Sequence, residues 1–172
     1  MQEAGFFSRK NWIKIMPKPQ LSLKGRALRY LSMREHSRSE LALKLGRYAQ
    51  EADDLQALLD SLESLNFLST ARFSESLVNR RQARFGNQRI FAELKSHGVD
   101  QEQIDIVKLS LLESEALRAT EVLHRKYASK ASDHQERAKQ MNFLLQRGFS
   151  SRSIQSALIA NREDEQSESF HD

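Results

Sequence analysis

The chain has 172 residues, a formal net charge of +4 and a mean hydropathy of −0.64, which is enough polypeptide for one domain or a few small modules. It contains no cysteine, so disulfides, thiolate zinc sites and cysteine nucleophiles are excluded. Its apolar runs are short and no charged segment leads into an apolar stretch at the N-terminus, so the sequence predicts a soluble, cytoplasmic protein with no membrane span.

Turn-forming residues are few. The sequence has six Gly and two Pro, and both prolines, Pro17 and Pro19, precede the first periodic segment. Strands need turns between them. Gly86, Gly98 and Gly148 each follow a helical run, at the position where a left-handed residue would end a helix. The sequence therefore predicts an all-α fold.

The first predicted elements are an irregular arm and a first repeat. Residues 1–20 carry basic and aromatic side chains without a sustained period. From Leu23 onward, apolar residues recur at helical spacing. A second helix is predicted to begin at Ser37, because Ser37 and Glu40 have the spacing of a capping box. A leucine-rich third helix completes repeat 1, which we assign to residues 21–68.

The same pattern of three short helices recurs in residues 69–112, which we assign to repeat 2. Ser69 is predicted to cap a helix that Gly86 ends, Asn87 to cap the next helix, and Asp100 to cap the last. Each cap precedes apolar residues at helical spacing, so each marks the start of an amphipathic helix.

A third repeat is predicted at residues 113–160, where Ser150 caps the last helix. Residues 93–104 and 143–154 match at a uniform offset of 50. A unit of about 50 residues cannot bury its apolar stripe alone and stacks on its neighbours. The sequence therefore predicts an elongated curved array of three tandem three-helix repeats. Residues 161–172 hold five acidic side chains and are predicted to be a disordered tail.

Charge is distributed in blocks along the chain. Residues 21–50 carry seven Lys and Arg against two acids, and residues 67–98 carry six against two. Between them, residues 51–66 carry five acids and no base, and the chain from residue 99 onward carries thirteen acids against ten bases. Two basic blocks separated by an acidic helix indicate a directional electrostatic surface on a modular body.

No catalytic or cofactor-binding pattern is present. The five histidines do not pair at helical spacing, so we expect no metal site. Gly-rich phosphate loops and the Gly-x-Ser-x-Gly nucleophile elbow are absent. We therefore predict a protein that is not an enzyme and has no cofactor. The phenylalanines at helix-face positions, such as Phe73 and Phe149, are interpreted as core.

Arginines at helical spacing are the positive signal. Arg72, Arg80 and Arg84 are predicted to share one helix face, and Arg89 lies in the first turn of the next helix. A cation there opposes the helix macrodipole, which favours an anionic partner beside the free amides. The alternative is a solvated face neutralised by nearby acids. The candidate partner or DNA contacts are Arg26, Arg29, Arg34, Arg38, Arg72, Arg80, Arg81, Arg84 and Arg89.

Four stretches, in order and at the right spacing, resemble the RecX family of regulatory proteins. They are Ser37-Arg38-Ser39-Glu40-Leu41 with Lys44-Leu45, residues 71–78 with Arg80, Gly86 with Arg89-Ile90, Glu93-Leu94 and Gly98-Val99, and Phe143-Leu144 with residues 147–150 and Ile154. The sequence departs from the family at Thr70, Ser74 and Leu145-Gln146. The arm and the tail lie outside the shared pattern.

The resemblance implies an all-α body of three tandem three-helix repeats that lies in the helical groove of the RecA filament on DNA. Separately, we expect the protein to be a monomer. Such proteins hinder filament growth, ATP hydrolysis, strand exchange and the co-protease role of RecA, and so affect recombination, DNA repair and the SOS response. Two alternatives remain open: a helix-turn-helix-like protein that acts directly on DNA, and a helical adaptor for another acidic partner.

Overall fold

The computed structural model describes residues 21–160, and within this range all regular structure is α-helical. The all-α prediction is confirmed. The arm and the acidic tail lie outside the described residues. The helices are α1 (Leu23–Met33), α2 (Arg38–Gly46), α3 (Leu55–Ser64), α4 (Thr70–Arg81), α5 (Asn87–Ser96), α6 (Gln101–Leu111), α7 (Glu115–Lys126), α8 (His134–Leu145) and α9 (Ser151–Ile159).

Four predicted helix caps are confirmed. The side chains of Ser37, Ser69, Asp100 and Ser150 each accept a hydrogen bond from the amide three residues later, over 2.8 to 3.3 Å. Each bond satisfies an amide that the first turn of a helix leaves without an intrahelical partner. The predicted return contact of the capping box does not form, because the Glu40 carboxylate pairs with an arginine instead.

Two predictions at the start of α5 are wrong. Gly86 is the N-cap of α5 with a φ of −76°, whereas it was expected to end the preceding helix, which ends at Arg81. Asn87 is not the cap, because its own amide donates to Oε1 of Glu115 over 2.8 Å. A carboxylate on α7 therefore does the capping that the sequence assigned to Asn87. Gly98 and Gly148 do adopt positive φ, at 74° and 78°.

Three separate hydrophobic clusters form the interior. Helices α1 to α3 enclose the first, around Leu41, Leu45 and Leu59. Helices α4 to α6 enclose the second, which includes Phe73, and helices α7 to α9 enclose the third, which includes Phe149. We call these three helix groups repeats 1, 2 and 3. Each has its own core, as expected for a tandem array.

The two junctions between repeats use equivalent positions. At the first, the hydroxyl of Ser39 on α2 donates to the carbonyl of His97 at the end of α5 over 2.5 Å. At the second, the amide of Gln88 on α5 donates to the carbonyl of Gly148 at the end of α8 over 3.1 Å. In both cases the end of a repeat's second helix meets the start of the second helix of the preceding repeat. A contact that recurs in this way builds a tandem array, whose curvature stays a prediction.

Candidate partner-binding surface

Eight of the nine predicted arginines fall into two groups. Arg34, Arg38, Arg72 and Arg81 each form an ion pair with a carboxylate of the same chain. Among residues 21–160, no ion pair is found for Arg29, Arg80, Arg84 or Arg89. The sequence treats the nine as one set, and the tertiary structure separates them.

Two of the paired arginines are held on the surface of their own repeat. Arg38 on α2 reaches two acids of α3, with 2.6 Å to Asp60 Oδ1 and 2.6 Å to Glu63 Oε2. Arg81 at the end of α4 binds both carboxylate oxygens of Glu93 on α5. These guanidinium groups hold two helices of one repeat together, which leaves less of each available to a partner.

Arg72 connects two repeats. Its Nε donates to Glu35 Oε1 over 2.7 Å, and its terminal nitrogens donate to the Asn66 side chain and to the carbonyls of Asn66 and Phe67. Arg72 therefore ties the start of α4 to the turn before α2. The predicted single helix face of Arg72, Arg80 and Arg84 is wrong, because α4 ends at Arg81, before Arg84.

A second internal network surrounds His36, which is 2% exposed. Its Nδ1 lies 2.9 Å from the Arg34 carbonyl, and its Nε2 lies 2.9 Å from Nζ of Lys44. Burial lowers the pKa of His36, so the neutral ring donates at Nδ1 and accepts from Lys44. Burial alone would raise the pKa of Glu40, but hydrogen bonds from Arg34 and the surrounding positive charges outweigh it and lower that pKa to about 2.

Acid is therefore expected to destabilise repeat 1 through Glu40. The carboxylate has a lower pKa in the folded chain than in the unfolded chain, so its stabilising effect is complete above pH 4.5 and disappears as the pH falls to about 2. We expect Glu40→Gln to lower the free energy of unfolding at neutral pH and to have little effect near pH 2. Urea titrations at several pH values measure this. Glu113→Gln, at an exposed acid, is the control, and an equal Glu40→Gln effect at all pH values would contradict the prediction.

Two further predicted residues lie on repeat 1. The Arg26 guanidinium lies 4.0 Å from the centre of the Tyr48 ring, and its Nε donates to the Leu21 carbonyl. Arg29 is exposed. Both residues lie on α1.

Arg80, Arg84 and Arg89 remain exposed around the end of α4 and the start of α5. Nε of Arg80 donates to the Ser76 carbonyl over 3.2 Å. The Arg89 guanidinium stacks 4.5 Å from the centre of the Phe85 ring. Two of the first-turn amides of α5 are already occupied, since the Asn87 amide donates to Glu115 and the Gln88 amide donates to the Gly148 carbonyl. The arginine side chains themselves are therefore what a partner can reach.

A groove of about 470 Å³ lies between repeats 2 and 3. Neither Asp nor Glu lines it. We call it the basic groove and define it by the residues that matter for its chemistry, which are Arg84, Phe85, Arg125, Lys126, Phe143 and Arg147.

The cations of the basic groove are held in place without being neutralised. The Arg147 guanidinium lies 3.7 Å from the centre of the Phe143 ring, and its Nη1 donates to the Phe143 carbonyl over 3.2 Å. Arg125 is placed to donate to the Ala83 carbonyl over 3.4 Å. None of the four cations of the groove forms an ion pair among the described residues. Guanidinium groups fixed in this way suit bidentate contacts to carboxylates or phosphates.

The sequence missed three of these cations. These are Arg125, Lys126 and Arg147. They lie in the part of the chain where acids outnumber bases, so the net charge of that segment did not indicate them. The repeat offset of 50 is the feature of the sequence that could have identified Arg147. It places residue 147 at the end of the helix equivalent to α5, and that end packs on the preceding repeat.

A buried polar network fixes the two walls of the basic groove relative to each other. Glu115 and Arg118 on α7 are only 6% and 7% exposed. Glu115 accepts from the Asn87 amide and from the hydroxyls of Ser150 and Ser153. Arg118 donates to the Asn87 side chain and to the carbonyls that end α4 and precede α5. Because buried charges need several hydrogen bonds, this network holds α7 in one orientation on repeat 2.

Other kinds of site find no support in the described part of the chain. Within residues 21–160, no three His, Asp or Glu side chains come together in a way that could hold a metal ion. No helix in that range is both long and apolar enough to cross a bilayer. The fold and the surface thus define a class, an all-α protein of tandem three-helix repeats with a basic groove.

Comparison with known proteins identifies the family. Residues 71–107 match the second three-helix domain of RecX, and residues 113–158 match the third. Regulatory protein RecX of Herminiimonas arsenicoxydans is 63% identical over 150 residues, covering 87% of this chain and 99% of that protein. Regulatory protein RecX of Herbaspirillum seropedicae is 60% identical over 142 residues, covering 83% and 92%. The chain belongs to the RecX family and is a regulatory protein of that family.

A solved structure supports the fold. The crystal structure of RecX from Lactobacillus salivarius superposes with a TM-score of 0.63 at 22% identity, covering 79% of this chain and 92% of that one. At this identity the likeness concerns the arrangement of helices alone, and it agrees with the helical repeats described above.

Proposed function

We propose that this protein binds the RecA filament on DNA and lowers its activities: ATP hydrolysis, strand exchange and co-protease function. It acts by occupying the filament, without catalysis or a cofactor, in the cytoplasm and as a monomer. Membership of the RecX family supports RecA as the partner. The observation that carries the mode of binding is the set of fixed guanidinium groups without carboxylate partners around the basic groove.

The repeat architecture supports binding to a polymer. Three cores in tandem give the protein three units that can each contact the filament. When one unit is bound, its neighbours are held at a high effective concentration near adjacent filament subunits, so several weak contacts give a long residence time. Predominantly ionic contacts also predict that binding weakens as salt is raised.

We assign the filament contacts first to Arg84, which lines the basic groove, and to Arg80 and Arg89, which are exposed at the end of α4 and the start of α5. Arg29 is the next candidate because it is exposed and has no ion pair among residues 21–160. Contacts from Arg34, Arg38, Arg72 and Arg81 would compete with the internal ion pairs that these residues form. Substitution of these four arginines is therefore expected to affect stability more than binding.

Charge reversal at two of these positions tests the proposal. Arg80→Glu with Arg84→Glu is expected to leave the helical content unchanged and to raise the protein concentration needed to inhibit RecA ATPase on single-stranded DNA. We expect a shift of about tenfold, equivalent to about 1.4 kcal/mol of binding free energy. Titration of ATP hydrolysis against protein concentration measures the shift.

Arg137→Glu with Lys139→Glu is the matched control, because both side chains are exposed on α8 and neither forms an ion pair in the described chain. This control is expected to inhibit like the original protein. Equal inhibition by the Arg80 and Arg84 double variant would show that this face is only solvated.

A direct action on DNA is the alternative that the same surface allows, because phosphates and carboxylates both suit guanidinium groups. Binding to DNA without RecA distinguishes the two. Tight, sequence-selective and steeply salt-dependent binding to bare duplex DNA would favour a DNA-binding protein, whereas our proposal expects retention to depend on RecA.

A further inference from the structure

The basic groove has an unbalanced charge that the described residues do not neutralise. Arg84, Arg125, Lys126 and Arg147 line it, neither Asp nor Glu does, and none of the four forms an ion pair within residues 21–160. Like charges that converge on one groove repel one another, so an anionic occupant stabilises this arrangement. The aromatic rings of Phe85 and Phe143 already support arginines, which leaves the guanidinium edges for the occupant.

The last described helix ends close to this groove. The N-terminal ends of α7 and α9 meet, since Glu115 accepts from the hydroxyls of Ser150 and Ser153. Helices α7 and α9 also pack closely against each other, with Leu123 of α7 and Ala157 of α9 in the same core. The two helices therefore run side by side in the same direction. This brings the end of α9 to the end of α7, which carries Arg125 and Lys126.

The chain continues beyond this point with an acidic sequence. Residues 163–172 contain five Asp or Glu and no Lys or Arg. Twelve residues follow Ala160, and a segment of that length reaches up to roughly 40 Å when extended. Reach and charge both suit a contact with the neighbouring groove.

We propose that the basic groove is a binding site for acidic peptide, and that residues 163–172 of the same chain occupy it when no other anionic partner is bound. The tail is tethered next to the groove, so its effective concentration is in the millimolar range or above, and weak ionic contacts suffice. The contact is largely screened at 1 M salt, where the Debye length falls to about 3 Å. The tail thus competes with any partner that uses the groove.

Paramagnetic relaxation in the full chain tests the contact. The chain has no cysteine, so Ser169→Cys gives a single attachment point for a nitroxide spin label in the tail. We expect the amide signals of Arg84, Arg125 and Arg147 to lose intensity, and those of α3 in repeat 1 to keep it. Part of this loss of signal intensity would arise simply because the tail is tethered near the groove. The decisive measurement therefore compares the loss between variants.

Two variants remove the attraction by replacing charged side chains with neutral amides, one in the tail and the other in the groove. The tail variant carries Glu163→Gln, Asp164→Asn, Glu165→Gln, Glu168→Gln and Asp172→Asn. In the groove variant, Arg84, Arg125 and Arg147 become Gln. Both are expected to lose most of the broadening at the groove, as is the original protein in 1 M NaCl. The control, Arg137→Gln with Lys139→Gln, is expected to retain it.

Three outcomes would overturn the proposal. The first is equal broadening in the original protein and the tail variant, which would show a tethered tail without attraction to the groove. The second is broadening confined to the amide signals of α3 in repeat 1. The third is broadening of isotope-labelled, spin-free chains by added spin-labelled chains, which would show that the tail binds a second copy.

The consequence for inhibition rests on the proposed function. The tail variant is expected to inhibit RecA ATPase at a concentration about threefold lower, if the tail occupies the groove about two-thirds of the time. The two ideas can fail separately. If the tail variant loses the broadening at the groove but Arg80→Glu with Arg84→Glu inhibits like the original protein, only the proposed filament surface is refuted. If the tail variant keeps the broadening but Arg80→Glu with Arg84→Glu inhibits less, only the tail contact is refuted.

Discussion

Phe73→Ala is expected to cause the largest loss of stability among single core substitutions in repeat 2. Phe73 is 1% exposed, and its ring packs edge-on to His97 with centroids 5.1 Å apart. Removing a buried phenylalanine ring leaves a cavity and costs about 3 to 5 kcal/mol. Urea denaturation followed by circular dichroism measures the loss.

Phe67→Ala is the matched control for this prediction. Phe67 is 48% exposed, just after α3, so its removal is expected to change the free energy of unfolding by less than about 1 kcal/mol. Because the three repeats have separate cores, hydrogen exchange is expected to show that Phe73→Ala loosens repeat 2 first. Unchanged stability of the Phe73 variant would refute its place in the core.

Gly86→Ala is expected to separate repeats 2 and 3. A Cβ at Gly86 would lie 2.3 Å from the Gly148 carbonyl oxygen and from the Phe149 nitrogen, which are backbone atoms that no rotamer change can move away. Relief requires repeat 3 to shift, which breaks the bond of 2.9 Å from the Gly86 amide to the Arg147 carbonyl. We expect a cost of about 3 kcal/mol, at the upper end for overpacking. Under the proposed function we also expect weaker inhibition of RecA, because Arg147 moves away from Arg84.

Gly46→Ala provides the comparison, since a Cβ there meets nothing within 4 Å and the residue is helical. Alanine is the better helix former, so this change is expected to stabilise the protein by up to about 1 kcal/mol. Thermal unfolding of both variants, with RecA ATPase inhibition as the functional readout, measures the contrast. Equal effects of the two substitutions would show that the repeats do not make this close contact.

Local structure was largely predictable, because caps and helical periodicity depend on neighbouring residues. Ser37 and Ser69 begin their helices as predicted, and Gly98 and Gly148 take positive φ. The prediction from the sequence is wrong at Gly86 for a physical reason. A glycine needed for positive φ and one needed for the close approach of two backbones have the same appearance in a sequence, and only the packing partner distinguishes them.

The sequence indicated which arginines are candidates for the surface. It could not indicate which of them pair with acids of the same chain. Helical spacing indicates which residues share a face, but it cannot indicate an ion pair with a distant acid. Arg72 meets Glu35 and Arg81 meets Glu93 only because the helices fold together. In the same way, Arg147 joins Arg84 at one groove although they are far apart in the chain.

The amino-acid sequence alone was enough to predict the helices, most of their caps, the tandem repeats and the resemblance to the RecX family, because each of these depends on short-range pattern or on motifs read in order. The tertiary structure decided which cations are neutralised within the chain and which line the groove between repeats 2 and 3. Ionic contacts depend on distances of a few ångströms between side chains, and those distances are set only when the repeats pack against one another.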